Sequence, residues 1–295
     1  MAALSEAGAR GWTDPLVLVG FGVAAIAIGL FVWLELMQRS PLVNPRLFRS
    51  LRFSAANAVS LLTGYTLATA IIGGPVFVNR VLNGGPEPSA TALTALTAAI
   101  AGGAVLGGVL SALTGERVAT VLGIAVSAMG LWLMLGWGVD TDLGRLARDM
   151  AVFGVGAGLT VSPRGTAAVA AAGATAYGVA SALLQLTRTV GMSVGLALLT
   201  SIGQSRIDEL TALVNDPTRR NALVTALGHP EFVGVDPRDS FRLVDLLERW
   251  SRGEASDVLR LVFTIALGVA IVTLLPAVLV GSRAAAAADA NEAHT

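Results

Sequence analysis

In this chain of 295 residues, 54% are hydrophobic, only 14% are charged and the mean hydropathy is +0.71, too apolar for a soluble domain of that length. The charges balance to zero at neutral pH, which leaves no basic footprint for a nucleic-acid partner, and the absence of cysteine excludes disulfides and thiolate metal sites. All 20 basic residues are arginine, which together with the heavy use of Ala and Gly points to a high-GC bacterial source.

Ahead of the first apolar run, Glu6, Arg10 and Asp14 do not make the basic head of a secretory signal. Seven runs follow that are long enough, or nearly so, to cross a ~30 Å hydrocarbon core. They cover 15–37, 53–78, 90–113, 118–138, 146–162, 178–202 and 259–280, and the expected fold is an all-α polytopic membrane protein with seven transmembrane helices. The fifth is the shortest, and Arg145, Arg148 and Asp149 crowd its start.

The first loop carries Arg39, Arg46, Arg49 and Arg52 and no acid, the strongest positive-inside signal in the chain. It sets the expected orientation: N-terminus outside, C-terminus cytoplasmic, with Arg117, Arg164 and Arg283 also on the cytoplasmic side. Arg145 and Arg148 then fall outside, offset by Asp140, Asp142 and Asp149, and so does the long segment 203–257. Three regions are expected: 1–52 as tail, extra helix and Arg-rich linker; 53–281 as a six-helix bundle; 282–295 as a disordered tail.

In the second run Asn57, Ser60 and Gly64 share a helical face, with Tyr65 beside them, and Gly73-Gly74-Pro75 interrupts the run. That break reads equally as a hinge or as a tolerated kink. Gly103/Gly107, Gly154/Gly158 and Gly191/Gly195 have the four-residue spacing that lets helix backbones approach closely. Gly154-x-Gly156-x-Gly158 lies inside an apolar run without the strand–turn–helix setting of a nucleotide loop, so it too reads as packing glycine.

The sixth run is the most informative. Arg188 lies ten residues into it, about 15 Å along a helix and so near the bilayer midplane. A guanidinium at that depth costs at least ~2.5–3.5 kcal/mol unless it meets a partner or a wet cavity. Ser181, Gln185, Arg188, Gly191 and Gly195 fall within one third of the helix circumference, which makes one polar or small face. Arg188 is then either a pathway or gating residue or a structural arginine bonded to carbonyls. Asn57, Ser60, Tyr65, Ser181 and Gln185 are further candidates for a substrate pathway, with bonding between neighbouring helices as the plainer role.

Within 203–257, Asp236-Pro237 starts a helix, and Phe241, Val244, Leu247 and Trp250 recur at helical spacing. A short amphipathic helix is expected there, resting on the outer interface or capping the membrane domain. No catalytic set is present: His229 and His294 stand alone in a loop and the tail, no paired carboxylates lie within the runs, and neither an enzyme, a metal site nor a cofactor is expected.

The segment 108–117 resembles the loop motif of the major facilitator superfamily, Gly-x-Leu-x-Asp-Arg-x-Gly-x-Arg. Gly108, Leu110, Gly115 and Arg117 match, while Ala112 and Leu113 replace the family's Asp and Arg, as in a second, C-terminal copy of the motif. Gly11-Trp12, Glu35 and the stretch 41–49 are similar to the link before the second bundle in the fourteen-helix drug:proton antiporter branch. Residues 154–163, 177–182 and 188–191 resemble the fourth and fifth helices of that bundle.

This resemblance, running from Gly11 to Val280, implies one extra helix followed by a C-terminal half-bundle of two inverted three-helix repeats in a bacterial cytoplasmic membrane. It implies proton-coupled efflux of a hydrophobic or cationic small molecule by alternating access, with 108–117 as the gating loop and the coupling carboxylates supplied by an N-terminal half-transporter or a second copy. The alternative is a non-transporting truncated membrane protein, a scaffold or a regulatory partner.

Overall fold

A computed structural model of the chain describes residues 14–37, 45–173 and 176–281. The N-terminal tail, Arg39 in the linker and the tail after 281 lie outside the described residues. All the described secondary structure is helical. After α1 (Pro15–Met37) and a 3-10 turn (Pro45–Arg49) come α2 (Leu51–Arg80), α3 (Pro86–Thr114) and α4 (Glu116–Met134). Then follow α5 (Leu143–Leu159), α6 (Val161–Ala172), α7 (Tyr177–Asn215), α8 (Pro217–Ala226) and α9 (Phe241–Leu279).

Local chemistry sets the boundaries. Ser50 Oγ accepts from the Phe53 amide at 3.3 Å and caps α2, and Pro86 opens α3, where a missing N–H leaves no helical bond unmade. Gly115 alone joins α3 to α4 at φ +91°, a conformation that a Cβ would strain. Asp142 caps α5 through the Gly144 amide, and Ser240 caps α9 through that of Leu243.

Among the described residues five helices are long and apolar enough to cross a membrane: α2, α3, α4, the Tyr177–Gly203 part of α7, and α9. The helix α1 keeps the bounds expected of the first run. The fifth expected run departs from a single span. It forms the 17-residue α5, which turns at Thr160 into the 12-residue α6.

The segment 203–257 departs further. In place of a separate amphipathic helix, α7 and α9 are each 39 residues, about 60 Å at 1.5 Å per residue and twice a hydrocarbon core. Both run past the membrane boundary, and α9 continues unbroken from Ser240 through the last span. Asp236-Pro237 makes only a 3-10 turn. Of the expected apolar face, Leu247 is buried but Phe241 is 96% exposed. Leu243 replaces Phe241 in a small cluster with Leu247, Val224 and Phe232 that caps the projecting helices.

The packing has a regular pattern. The helix α5 packs along α3 and α4, α2 packs along α7 and α9, and α9 also meets α4. Lipid tails are as apolar as leucine, so these contacts depend on close approach more than on water exclusion. At the α3–α5 contact a Cβ on Gly103, Gly107, Gly154 or Gly158 would run into the facing backbone, as the four-residue spacing predicts. An aromatic cluster of Phe77, Trp137 and Phe263 ties α2 and α9 to the end of α4, with ring centroids 5.1 and 5.4 Å apart. The helix α2 is the most buried: 61% of its most apolar window lies inside, against 17% for α3 and 22% for α7. Both α3 and α7 therefore present long faces that no other described helix covers.

Candidate functional site

The crevice where α2, α6 and α7 meet holds the buried cations. Two glycines bring α7 onto α2: Gly64 faces the Arg188 carbonyl and Gly191 faces that of Leu61, each too close for a Cβ. Ser60 Oγ donates to the Leu184 carbonyl at 2.9 Å, and Thr187 Oγ1 donates to Asn57 Oδ1 at 3.0 Å. Asn57 Nδ2 in turn donates to the Phe53 carbonyl at 3.0 Å. Asn57 and Ser60 thus spend their hydrogen bonds within and between these two helices.

Tyr65 is buried in the main core, and Gly195 lies against its carbonyl. Ser181 is half-buried and Gln185 exposed, near the exposed Leu186 and Thr189. The six pathway candidates of the sequence therefore divide. Arg188 lies in the crevice, Asn57 and Ser60 stitch α2 to α7, Tyr65 packs in the core, and Gln185 and Ser181 lie toward the open side of α7.

Arg188 is half-buried and has no hydrogen bond or ion pair among the described residues. The charged group that interacts with it is another cation. Arg164, 6% exposed, reaches from α6 to donate through Nη1 to Thr63 Oγ1 on α2 at 2.6 Å, and lies within electrostatic range of Arg188. Arg164, expected on the cytoplasmic side after the fifth run, is a buried charge. Two guanidiniums with no carboxylate beside them form a positive, anion-seeking crevice. The sequence singled out Arg188 alone, because Arg164 follows Ser162-Pro163, where the fifth apolar run breaks off.

Two other polar constellations belong to the ends of the bundle. Asp149 is fully buried, accepts from Trp137 Nε1 at 3.1 Å and is gripped by Arg148 at 2.9 Å and Arg145 at 3.8 Å. At the other end, Arg52 Nη2 bonds Glu116 Oε2 at 2.7 Å, joining the start of α2 to the α3–α4 turn. Gly281 closes over the same carboxylate from the end of α9. Within the expected gating motif, Gly115 makes the turn, Gly108 approaches Ser162, and Leu110 and Arg117 follow on the same loop and helix ends. Gly73 and Gly74 lie against Phe263 and Met150, and α2 runs through Pro75 as one helix.

A bundle of long apolar helices, joined by short turns and crossed by buried polar groups, is a multi-pass helical membrane protein. Over part of its length the chain is homologous to mycobacterial triacylglyceride transporters. It is 33% identical over 227 residues to the triacylglyceride transporter of Mycobacteroides abscessus, which covers 72% of this chain and 43% of the relative. It is 32% identical over 208 residues to the Mycolicibacterium smegmatis transporter, covering 67% and 36%. To that of Mycobacterium tuberculosis it is 28% identical over 239 residues, covering 77% and 45%. The chain thus spans less than half the length of these curated relatives. No protein-family model matches it. The names of these relatives carry a lipid cargo and not drug efflux.

Proposed function

We propose that this chain forms one half of a major-facilitator transporter that moves an apolar, lipid-like molecule by alternating access. The observation that carries the reading is the homology to triacylglyceride transporters over 72% of the chain. The packing supports it. Exchanging α2 with α5, α3 with α7 and α4 with α9 preserves the major helix contacts: α2–α7 maps onto α5–α3, α2–α9 onto α5–α4, and α4–α9 onto itself. That is the pattern of two inverted three-helix repeats, with α5 and α6 together serving as the fourth of six spans after α1. Glycine-mediated approach recurs at the two equivalent contacts, α2–α7 and α3–α5.

In this reading the open faces of α3 and α7 meet a second six-helix half, from the same longer polypeptide, another chain or a second copy. That half brings carboxylates to Arg188 and Arg164, and making and breaking those pairs separates the two access states, driven by the proton gradient. Gly73-Gly74-Pro75 and the loop 108–117 are the places where α2 and the α3–α4 turn adjust. The uncharged cargo of the relatives favours the hydrophobic over the cationic substrate class. A Mycolicibacterium smegmatis strain lacking its own triacylglyceride transporter, supplied with this chain and the N-terminal half of the Mycobacteroides abscessus relative, is expected to regain triacylglyceride export. Export by neither this pair nor the chain alone would favour the non-transporting alternative.

A further inference from the structure

At the end of the bundle where α2 finishes, a pocket of about 610 Å³ opens between α2, α7 and α9. Its size is within the ~300–1,000 Å³ range of sites that bury a drug-sized molecule. Its lining changes with depth. Ile72, Val76, Leu199 and Val262 form an apolar lower half, alongside the parts of α2 and α7 that are apolar enough to span a membrane. The upper half, past Gly203 on α7 and at the end of α2, carries Asn79, Arg80, Asn83, Arg206, Glu248 and Arg252. Such a gradient fits an amphiphile with its tail in the hydrocarbon layer and its head at the interface.

Apart from the paired Arg206, the mouth holds two cations, Arg80 and Arg252, against one carboxylate, Glu248, which leaves an excess of positive charge. Arg206 is occupied by Glu209 and Glu254, whose carboxylates hold its guanidinium firmly charged, and Glu248 accepts from Asn83 Nδ2 at 3.0 Å. Arg80 and Arg252 have no ion pair or hydrogen bond among the described residues, and Arg252 Nε is buried without an acceptor. A buried guanidinium N–H without an acceptor is a costly arrangement that a ligand oxygen would relieve. A triacylglyceride has no charge to offer, so this chemistry points to a different lipid.

We propose that this pocket binds an anionic phospholipid, with one acyl chain between α2 and α7 and the phosphate between Arg80 and Arg252. It is a fixed lipid site at the base of the projecting helices, separate from the Arg164–Arg188 crevice, and does not depend on the transport reading.

Native mass spectrometry of the purified full chain in detergent, with phosphatidylglycerol, phosphatidylcholine, the matching diacylglycerol or inorganic phosphate added, tests it. Phosphatidylglycerol is expected to remain bound at detergent concentrations that strip the other three. Arg80→Gln with Arg252→Gln should weaken its retention by about tenfold or more, the factor expected for losing charge-assisted hydrogen bonds. Val76→Trp, which fills the apolar half and leaves both arginines, should weaken it as well. Arg249→Gln, which removes an exposed arginine already paired with Asp245, should not. Equal retention of phosphatidylcholine or diacylglycerol, displacement of the lipid by phosphate alone, or unchanged binding in the double variant would overturn the proposal.

Discussion

At the scale of single residues, the chain keeps two kinds of buried charge, and they predict different behaviour. Asp149 is fully satisfied: one indole and two guanidiniums surround it. Replacing it with Ala leaves the buried Trp137 indole N–H without an acceptor, at about 1–3 kcal/mol, while the half-exposed Arg145 and Arg148 turn to water. Asp149→Ala should therefore lower the thermal unfolding midpoint in detergent, and Trp137→Phe should lower it less, because the arginines still hold the carboxylate. Arg188 is the opposite case, a guanidinium without a partner among the described residues. Arg188→Ala should leave the unfolding midpoint unchanged or raised, since it removes an uncompensated charge. In the reconstituted pair it should reduce export by about tenfold or more, the factor contained in 1.4 kcal/mol of lost state-specific pairing. An Arg188→Ala variant that unfolds early yet still exports would assign the residue to structure. Arg188 was legible in the sequence because it breaks a long apolar run. Asp149 and Arg164 were not, because both fall at run ends, where a charge reads as loop until packing shows it enclosed.

At the scale of elements, contacts between helices here depend on missing side chains. Gly191 lies against the Leu61 carbonyl, so Gly191→Leu must push α7 off α2 and is expected to destabilise by about 1–3 kcal/mol or more, as overpacking does. Gly203→Ala, at a glycine on the same helix with open space around it, should be near neutral in the same melting assay. These pairs could be read from spacing alone, since small-xxx-small records a requirement of the backbone. The long helices α7 and α9 could not. Hydropathy marks where the apolar part of a helix stops, and the polar residues beyond Gly203 and before Leu259 look the same whether the helix continues or a loop begins. What stabilises the continuation is the cap of Val224, Phe232, Leu243 and Leu247, which gathers residues from three elements. Leu243→Ala should cost about 2–5 kcal/mol locally. Hydrogen exchange should then rise across 217–247 while α2 stays protected, and exchange spreading into α2 would mean the projecting part is not a separate cooperative unit.

At the scale of the whole molecule, the exchange symmetry of the helix contacts and the uncovered faces of α3 and α7 fit the proposed half of a larger transporter. In that proposal the positive crevice between α2, α6 and α7 is where the second half pairs with this one. The all-helical expectation held, but of the seven expected spans five helices among the described residues are long and apolar enough to cross, and the fifth run is split at Thr160. The resemblance read from 108–117 and 154–191 agrees with the homology to transporters, whose own names give a lipid cargo.

The most direct test of the account is the water accessibility of position 188 in native membranes, which the cysteine-free chain allows without background. Arg188→Cys should react with a membrane-impermeant thiol reagent in at least one access state, while Leu275→Cys, on the outer face of α9 and 72% exposed within this chain, should stay unlabelled. Equal silence at both positions would place Arg188 against acyl chains or sealed protein, and would contradict a transport role for the crevice.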